Sequence, residues 1–250
     1  MANGMFKDHF SVSSRGYARF RPEYPDGLFR WLAEISPSRE RAWDVATGTG
    51  QAALGLAPYF VEVIATDASL EQIRHARAHP VVRYEVAPAE YAPIENDSVD
   101  LVTVAQALHW FDFDAFYGEV RRVSRPGAVL AAASYGLARI EPAIDAAIDA
   151  FYRGPLEPFW PSERAYVEAG YRTIPFPFDE IEPPDFVMTA RWTFDHLLGY
   201  LGTWSAVTRA REIGGADALA EIEPELRERW GEPLEYRQVS WPLNLRVGRL

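Results

Sequence analysis

Strand-like and helix-like segments alternate through residues 41–135, and this alternation constrains the fold more than any other feature of the chain. Five short stretches are apolar or β-branched: 43–46, 61–67, 81–87, 98–107 and 128–135. The fourth is almost entirely apolar, as expected for a strand that is buried on both faces. Strands separated in this way by helical segments predict a parallel, doubly wound α/β sheet.

The second half of the chain has a different composition, with many aromatic residues and prolines after Gly136. Helical patterns occur at 141–153, 194–212 and 216–230, and strand-like patterns at 184–192 and 235–247. We therefore predict an α/β fold with a mostly parallel, seven-stranded sheet and a helical cap inserted before the last two strands.

Charge and composition argue against several classes of protein. The net charge is −11 and Lys7 is the only lysine, so the chain lacks the broad positive surface that nucleic-acid binding requires. There is no cysteine for a disulfide or a thiolate metal site, and four of the histidines are scattered, at positions 9, 75, 79 and 196. No apolar run approaches about 18 residues, and no apolar leader is visible. We expect a cytoplasmic protein that binds no nucleic acid, membrane or metal.

A cluster of small residues, 47–50, lies between the first predicted strand and the helix that follows it. Gly48 and Gly50 have no side chains, so a ligand can approach the backbone closely. In a doubly wound sheet the ligand lies beyond the carboxyl ends of the strands, at the switch point beside the first strand. We therefore place the mouth of the site at this turn.

The turn alone leaves its ligand open. It lacks the lysine of a phosphate-binding loop, which argues against nucleoside triphosphates. Residues 48–53 fit the dinucleotide pattern G-x-G-x-x-A, and Asp67 ends the second strand at a suitable distance to bond a ribose. Asp44, however, lies inside the first strand, where a dinucleotide fold usually keeps an apolar residue. An acid there can hold the positive amino group of an amino-acid-like ligand.

Taken in order, these residues resemble a known family. The sequence Asp44-x-Ala46-x-Gly48-x-Gly50 is similar to the first motif of class I S-adenosylmethionine-dependent methyltransferases, usually acid-x-Gly-x-Gly-x-Gly, with Ala46 replacing the first glycine. Residues 17–28 and 105–112 resemble the small-molecule branch that contains trans-aconitate methyltransferase. The resemblance spans residues 10–135 and implies a Rossmann-like methyltransferase fold with S-adenosylmethionine as cofactor.

The resemblance also implies a division of the chain. Residues 1–40 would form an N-terminal lid and first helix, and residues 41–135 the cofactor-binding α/β core. Residues 136–230 would form the helical cap and substrate region, with a returning strand near 184–192, and residues 231–250 the closing strand.

Roles for individual residues follow from the same resemblance. Asp67 is expected to accept hydrogen bonds from both ribose hydroxyls, and Asp44 to act on the ammonium group of the methionine part. The segment after the third strand should lie beside the adenine, and residues of the N-terminal segment should fold over the cofactor. The complete predicted set is Asp44, Ala46, Thr47, Gly48, Thr49, Gly50, Asp67, Ala68, Ala89, Glu90, Gln106, Tyr17 and Arg21.

The implied reaction is in-line transfer of a methyl group to a small-molecule acceptor, with an oxygen favoured and a carboxylate as one option. Alignment of the acceptor and exclusion of water supply most of the catalysis, and a carboxylate needs no base. For a hydroxyl acceptor His109 is the candidate base, although a hydrogen-bonded structural histidine is the simpler interpretation. Trp110 and Phe111 are candidates for an apolar wall against the substrate, or for core packing.

Several alternatives stay open at the level of sequence. An acidic acceptor could be received by arginines of the second half, and nothing chooses among Arg153, Arg172 and Arg191. A nicotinamide-dependent oxidoreductase on the same fold would transfer hydride and would not bind S-adenosylhomocysteine. A non-catalytic protein that only binds adenosylmethionine is a further alternative. No pattern indicates the oligomeric state.

Overall fold

The structure, a computed structural model, describes residues 20, 22–213 and 217–250. The strands are β1 (Arg41–Val45), β2 (Glu62–Asp67), β3 (Val82–Val86), β4 (Val99–Ala105), β5 (Ser124–Tyr135), β6 (Asp179–Ile181), β7 (Val187–Trp192) and β8 (Arg237–Arg249). The helices are α1 (Asp26–Ile35), α2 (Gln51–Leu56), α3 (Leu70–Arg74), α4 (Phe113–Val123), α5 (Pro142–Arg153), α6 (Arg164–Glu168), α7 (Phe194–Gly202), α8 (Ser205–Glu212) and α9 (Ala218–Trp230). Short 3-10 turns occupy Leu108–Trp110 and Glu157–Phe159.

Within the described residues, eight strands form one sheet in the order β3-β2-β1-β4-β5-β8-β6, with β7 paired to β8. Strands β1 to β5 are parallel, and β8 is antiparallel to β5, β6 and β7. The predicted fold class, a doubly wound and mostly parallel α/β sheet, is confirmed. There are eight strands rather than seven because the three-residue β6 joins the edge, and so short a strand leaves no pattern in the sequence.

The long strand β8 connects two regions of the molecule. Its residues 243–249 pair with β5, whereas residues 237–242 pair with β7. The helices after β5 are therefore divided: α5 and α6 precede β6, and α7, α8 and α9 lie between β7 and β8. The predicted helical insertion enters as two segments, because the strand predicted at 184–192 returns to β8 between them. We refer to α5–α9 together as the helical layer.

The carboxyl end of β1 lies where the strand order reverses, with β2 and β3 on one side of β1 and β4 and β5 on the other. In the ladder, Asp44 of β1 pairs with Ala65 of β2 and with Thr103 of β4. Side chains that follow β1, β2 and β4 therefore meet at one edge of the sheet, at the switch point.

At the opposite edge, Asp100 fixes the amino ends of β1 and β4. Its buried carboxylate accepts hydrogen bonds from the backbone N–H groups of Glu40 and Arg41, at 3.0 and 2.9 Å, and pairs with Arg125 at 2.9 Å. A buried charge that is paired and fully hydrogen-bonded specifies one arrangement, since loss of any partner is costly. Asp100 thereby holds the register that aligns the carboxyl ends of the two strands.

The sheet is covered on both faces. Phe29 and Leu56 are buried where α1 and α2 pack on one face, and Phe116 is buried where α4 packs on the other. A third apolar cluster lies between the helical layer and the β7–β8 pair, around the buried side chains of Trp230 and Trp241. In the described part of the chain, no helix is long and apolar enough to cross a membrane.

Candidate functional site

The turn after β1 has a backbone conformation that suits glycine. Gly48 and Gly50 have φ values of +57° and +88°. A Cβ at Gly50 would collide with Tyr84 of β3, whereas a Cβ at Gly48 would meet nothing closer than the Gln72 side chain, 3.9 Å away. Gly48 is partly exposed and is not closely covered by another side chain, so a ligand can approach its backbone.

Tyr84 belongs to this site although it was not among the residues predicted from the sequence. Its hydroxyl donates a hydrogen bond to the carbonyl of Arg77 at 3.0 Å, which holds the ring over Gly50. Burial raises the pKa of Tyr84 to about 12, and the nearby charge of Asp44 acts in the same direction. The hydroxyl therefore stays protonated at neutral pH and adds no charge to the turn.

Two residues other than glycine adopt the left-handed conformation beside the turn. Ala46 has a φ of +51°, and Gln106, after β4, has a φ of +57°. Such a conformation costs about 1–2 kcal/mol in a residue that carries a Cβ. Ala46 occupies the position of the motif's first glycine, so the chain follows the same path at the expense of backbone strain. Strain of this kind concentrates at functional sites.

Asp44 is buried near the end of β1, where two hydroxyl groups and the backbone N–H of Ala53 donate hydrogen bonds to it. Its carboxylate accepts hydrogen bonds from Thr47 Oγ1 at 2.5 Å and from Thr103 Oγ1 at 2.8 Å. Burial, with a smaller contribution from the charge of Asp67, raises the pKa of Asp44 to about 6. No described basic side chain forms an ion pair with it. A cationic ligand group at this point would stabilise the ionised carboxylate and lower its pKa.

Asp67 ties the turn to the end of β2. It accepts hydrogen bonds from the backbone N–H groups of Gly48 and Ser69, both at 2.8 Å and on different carboxylate oxygens. Hydrogen bonds to a charged acceptor are about twice as strong as neutral ones. A carboxylate has about four acceptor sites, so an aspartate that orders the backbone in this way can also accept hydroxyl groups of a ligand.

The remaining residues of the predicted cofactor set follow neighbouring strands at the same edge. Ala68 follows β2, and Ala89 and Glu90 follow β3. Glu90 Oε1 accepts a hydrogen bond from the backbone N–H of Asp112 at 3.2 Å. Gln106 Nε2 donates to the carbonyl of Tyr135 at 2.9 Å. The predicted lid residues, Tyr17 and Arg21, lie outside the described residues.

A cleft opens beside the carboxyl end of β4, under the helical layer. Its lining includes Gln106, His109, Trp110, Trp160, Arg164 and Trp204. Phe111, the second predicted wall residue, instead packs on Phe116 of α4, with 4.9 Å between the ring centroids. Of the two aromatic residues, Trp110 lines the cleft and Phe111 belongs to the packing beneath it.

His109 is held by a buried hydroxyl group. Its Nδ1 lies 2.8 Å from Tyr171 Oη, and Tyr171 is fully buried with a φ of +62°. Burial, together with the positive charge of Arg164, lowers the pKa of His109 to about 3. The imidazole is therefore neutral at physiological pH, and with so low a pKa it is a weak proton acceptor. The geometry favours a hydrogen-bonding role over that of a general base.

Arg164 lines the cleft, and no sequence pattern distinguished it from the other arginines. Its Nε donates a hydrogen bond to Tyr152 Oη at 2.7 Å. The guanidinium lies 5.3 Å from the ring centroid of Tyr152 and 5.1 Å from that of Trp160. The cleft lining does not include the three arginines that the sequence offered for an acidic acceptor, Arg153, Arg172 and Arg191.

The crevice around the two aspartates and the cleft beside Gln106 lie at the same edge of the sheet but offer different chemical groups to a ligand. The crevice around Asp44 and Asp67 offers two carboxylates and an open glycine backbone, which suits a ligand that carries a cation and hydroxyl groups. The cleft beside Gln106 offers aromatic surface and the positive charge of Arg164. Among the described residues there is no group of three or more side chains that could hold a metal ion.

Comparison with known sequences gives a consistent result. The protein family described as "Methyltransferase domain" matches residues 43–132. A Dictyostelium discoideum protein described as a methyltransferase is 33% identical over 225 residues, which cover 88% of this chain and 86% of that protein. An uncharacterised methyltransferase of Mycobacterium tuberculosis is 36% identical over 122 residues, 48% of this chain and 49% of that protein.

Solved structures agree with the sequence comparisons. A protein from Anaeromyxobacter dehalogenans, described as a type II methyltransferase, is 54% identical with a TM-score of 0.86, and the match covers 92% of this chain and 98% of that one. A methyltransferase from an antibiotic biosynthesis pathway of Anabaena variabilis shares the fold alone, with 18% identity and a TM-score of 0.52 over 87% of this chain and 98% of that one. The region that matches the family includes Asp44, Asp67 and Gln106.

Proposed function

Because the chain belongs to the class I S-adenosylmethionine-dependent methyltransferases, we propose that it binds S-adenosylmethionine in the crevice around Asp44 and Asp67. We propose further that it methylates an oxygen of a small molecule held in the cleft beside Gln106. The observation that carries the proposal is the pair of buried carboxylates at the switch point of the sheet, flanking a glycine turn that is partly exposed at Gly48.

The chemistry of the two carboxylates supports this ligand. Asp44 forms no ion pair with a described basic side chain and accepts only neutral donors, so an ammonium group, directly or through a water, would balance a charge that is otherwise costly to bury. Asp67 already orders the turn through Gly48, and a carboxylate can accept several hydrogen bonds, so the ribose hydroxyls would add to those that it already accepts. The two ends of one nucleoside amino acid would therefore be held by two acids fixed in adjacent strands.

The same carboxylates argue against the nicotinamide alternative. A dinucleotide places a diphosphate, with its negative charges, against the glycine turn. An acid at the place of Asp67 is compatible with a dinucleotide, but Asp44 adds a second, buried acid beside that position, and burial already raises its pKa to about 6. Like charges without a cation between them are unfavourable at a partly buried site. The charge pattern favours a ligand whose contacting group is positive.

The cofactor, when bound, supplies a methyl group on a sulfonium, which is a good leaving group. The residues of this chain would act by holding the acceptor oxygen in line with that methyl group and by excluding water. Trp110, Trp160 and Trp204 provide apolar surface in the cleft for this purpose. The low pKa of His109 fits an acceptor oxygen that is already ionised or readily ionised, because such an acceptor needs no strong base.

Calorimetric titration with S-adenosylhomocysteine, the product of the reaction, tests the cofactor assignment. We expect binding at ligand concentrations on the order of tens of micromolar. Asp67→Ala should weaken it at least about tenfold, because two charge-assisted hydrogen bonds are lost. Asp185→Asn is the matched control, since Asp185 is exposed and distant from the turn in sequence.

Two outcomes would remove the cofactor assignment. One is the absence of binding heat in the unmodified protein, and the other is an unchanged affinity in a folded Asp67→Ala variant. Binding of S-adenosylhomocysteine without methyl transfer to any acceptor would instead support the non-catalytic alternative. Methyl transfer is measured by incubation of candidate acceptors with S-adenosylmethionine radiolabelled on the methyl group, as label that appears in the acceptor while S-adenosylhomocysteine is released.

A further inference from the structure

We infer that Arg164 binds a carboxylate group of the acceptor, and that this carboxylate is a recognition group separate from the oxygen that receives the methyl group. The inference rests on the proposed function, which it deepens by naming the chemical class of the acceptor. The acceptor would be a flat, apolar carboxylic acid with a second oxygen function.

The first observation is the absence of a carboxylate partner for Arg164. In the part of the chain that the structure describes, no carboxylate forms an ion pair with it, although Arg122, Arg125 and Arg246 each have one. Its one hydrogen bond is donated by Nε to a tyrosine hydroxyl, which leaves the terminal nitrogens of the guanidinium available. An arginine fork with free N–H groups matches the planar geometry of a carboxylate.

The second observation is that Arg164 is held in position. The guanidinium lies within cation–π distance of both Tyr152 and Trp160. Tyr152 Oη in turn donates a hydrogen bond to Glu168 at 2.5 Å, so it turns a lone pair toward Arg164 Nε. Glu168 therefore orients the arginine through the tyrosine without neutralising it directly. Preorganisation of this kind lowers the entropic cost of binding a ligand.

The third observation is the place of Arg164 in the cleft. It shares the cleft with Gln106 and His109, which follow β4 at the edge where the methyl group would be presented. The charge of Arg164 contributes to the low pKa of His109, as expected for neighbouring groups. The aromatic side chains of Trp110 and Trp204 line the same space. A positive charge among tryptophan rings suits an anion on a flat apolar body.

The carboxylate held by Arg164 is not the methylated oxygen. When a guanidinium donates to both oxygens of a carboxylate, it draws charge from them and makes them weaker nucleophiles. The methyl group would therefore go to a different oxygen of the same molecule. An acceptor of this class is a hydroxy acid or a diacid.

The test compares carboxylates with their neutral amides. The probes are benzoate, phenylacetate and 3-phenylpropionate, each paired with the amide of the same shape, titrated with and without saturating S-adenosylhomocysteine. We expect the protein to bind at least one of the carboxylates about tenfold more tightly than its amide, since hydrogen bonds to a charged group are the stronger kind. Arg164→Gln should remove this preference, and Arg164→Lys should retain part of it.

The control variant is Arg153→Gln, because Arg153 is exposed and does not line the cleft. It should keep the full preference for carboxylates. The inference is overturned if no carboxylate of the panel binds better than its amide, or if the preference survives in Arg164→Gln. The affinity for S-adenosylhomocysteine reports separately on the proposed function: it should be unchanged in Arg164→Gln, which also shows that the variant is folded. If the unmodified protein does not bind S-adenosylhomocysteine but still prefers the carboxylates, only the cofactor assignment is lost.

Discussion

Substitution of Asp44 by asparagine should make the ligand-free protein more stable while it damages cofactor binding. Asp44 is buried and accepts hydrogen bonds from two threonine hydroxyls and from the backbone N–H of Ala53, and its pKa is raised from 3.8 to about 6. Asparagine has nearly the same shape and can bond both hydroxyls, because each hydroxyl can donate or accept. The substitution therefore removes a buried charge and leaves its contacts in place.

The raised pKa of Asp44 determines how much stability the Asp44→Asn variant gains and how this gain depends on pH. A carboxyl group whose folded-state pKa is above its unfolded value favours folding when it is protonated, at low pH. That contribution disappears as the pH rises through the folded-state value. A shift of this size corresponds to about 3 kcal/mol at neutral pH, at 1.36 kcal/mol for each pH unit. The Asp44→Asn variant avoids the loss, so its advantage should be near zero around pH 4 and reach at most about 3 kcal/mol around pH 7.

Urea unfolding curves of the unmodified protein and Asp44→Asn, measured from acid to neutral pH, check this expectation. The difference between the two curves isolates Asp44 from the other carboxyl groups. Asp67→Asn is the control of opposite sign, because Asp67 accepts a backbone N–H on each carboxylate oxygen, whereas asparagine keeps one acceptor oxygen and its NH2 group would face the other N–H. It should lower the free energy of unfolding by about 1–3 kcal/mol. A lower stability of Asp44→Asn at neutral pH, or a difference that does not grow between acid and neutral pH, would refute the reasoning.

Three other substitutions have directions fixed by the structure. Ala46→Gly relieves the strain of a φ of +51° at residue 46 and should raise the free energy of unfolding by about 0.5–1 kcal/mol. The control Ala146→Gly, on the exposed side of α5, should lower the free energy of unfolding by about 1 kcal/mol. Equal losses in the two variants would contradict the assignment of strain to Ala46. Gly50→Ala should lower the melting temperature strongly. Addition of Tyr84→Ala to that variant should restore only part of the loss, because it removes the clash between the new Cβ and the tyrosine but leaves residue 50 with a φ of +88°. His109→Asn should leave the pH profile of kcat/KM unchanged between neutral and alkaline pH, and should reduce kcat by less than about 100-fold. A larger loss of kcat together with an altered pH profile would identify His109 as a general base.

The sequence predicted the crevice around Asp44 and Asp67 much better than it predicted the cleft. The turn, its glycines and both acids are local features, since each acid belongs to a strand of the central sheet. Parallel strands bring their carboxyl ends to one edge, so the position of these residues in the strands was enough to place them together. What the pattern could not supply was the backbone strain at Ala46 or the tyrosine over Gly50, because both depend on packing between strands.

The cleft depends on contacts between segments that are distant in the chain. Arg164 stands in a helix of five residues, α6, which has no amphipathic pattern of useful length. It reaches the end of β4 because Tyr171, a few residues further on, bonds His109. Nothing local distinguishes Arg164 from Arg153 or Arg172 in the sequence, since each is an arginine in an aromatic-rich region. The strand that divides the helical layer is a different case, because residues 184–192 have a strand-like pattern of their own and a returning strand was predicted there.

The pairing of β7 with β8 has a consequence for how proteins of this architecture can diverge. Trp192 and Arg237 are register partners, so the chain leaves the sheet after one and returns at the other, side by side. Everything between them is an excursion with adjacent ends, the arrangement at which domain insertion and replacement are best tolerated. Exchange of residues 193–236 for another segment would therefore alter the side of the cleft that includes Trp204, while Asp44 and Asp67 keep their places in β1 and β2.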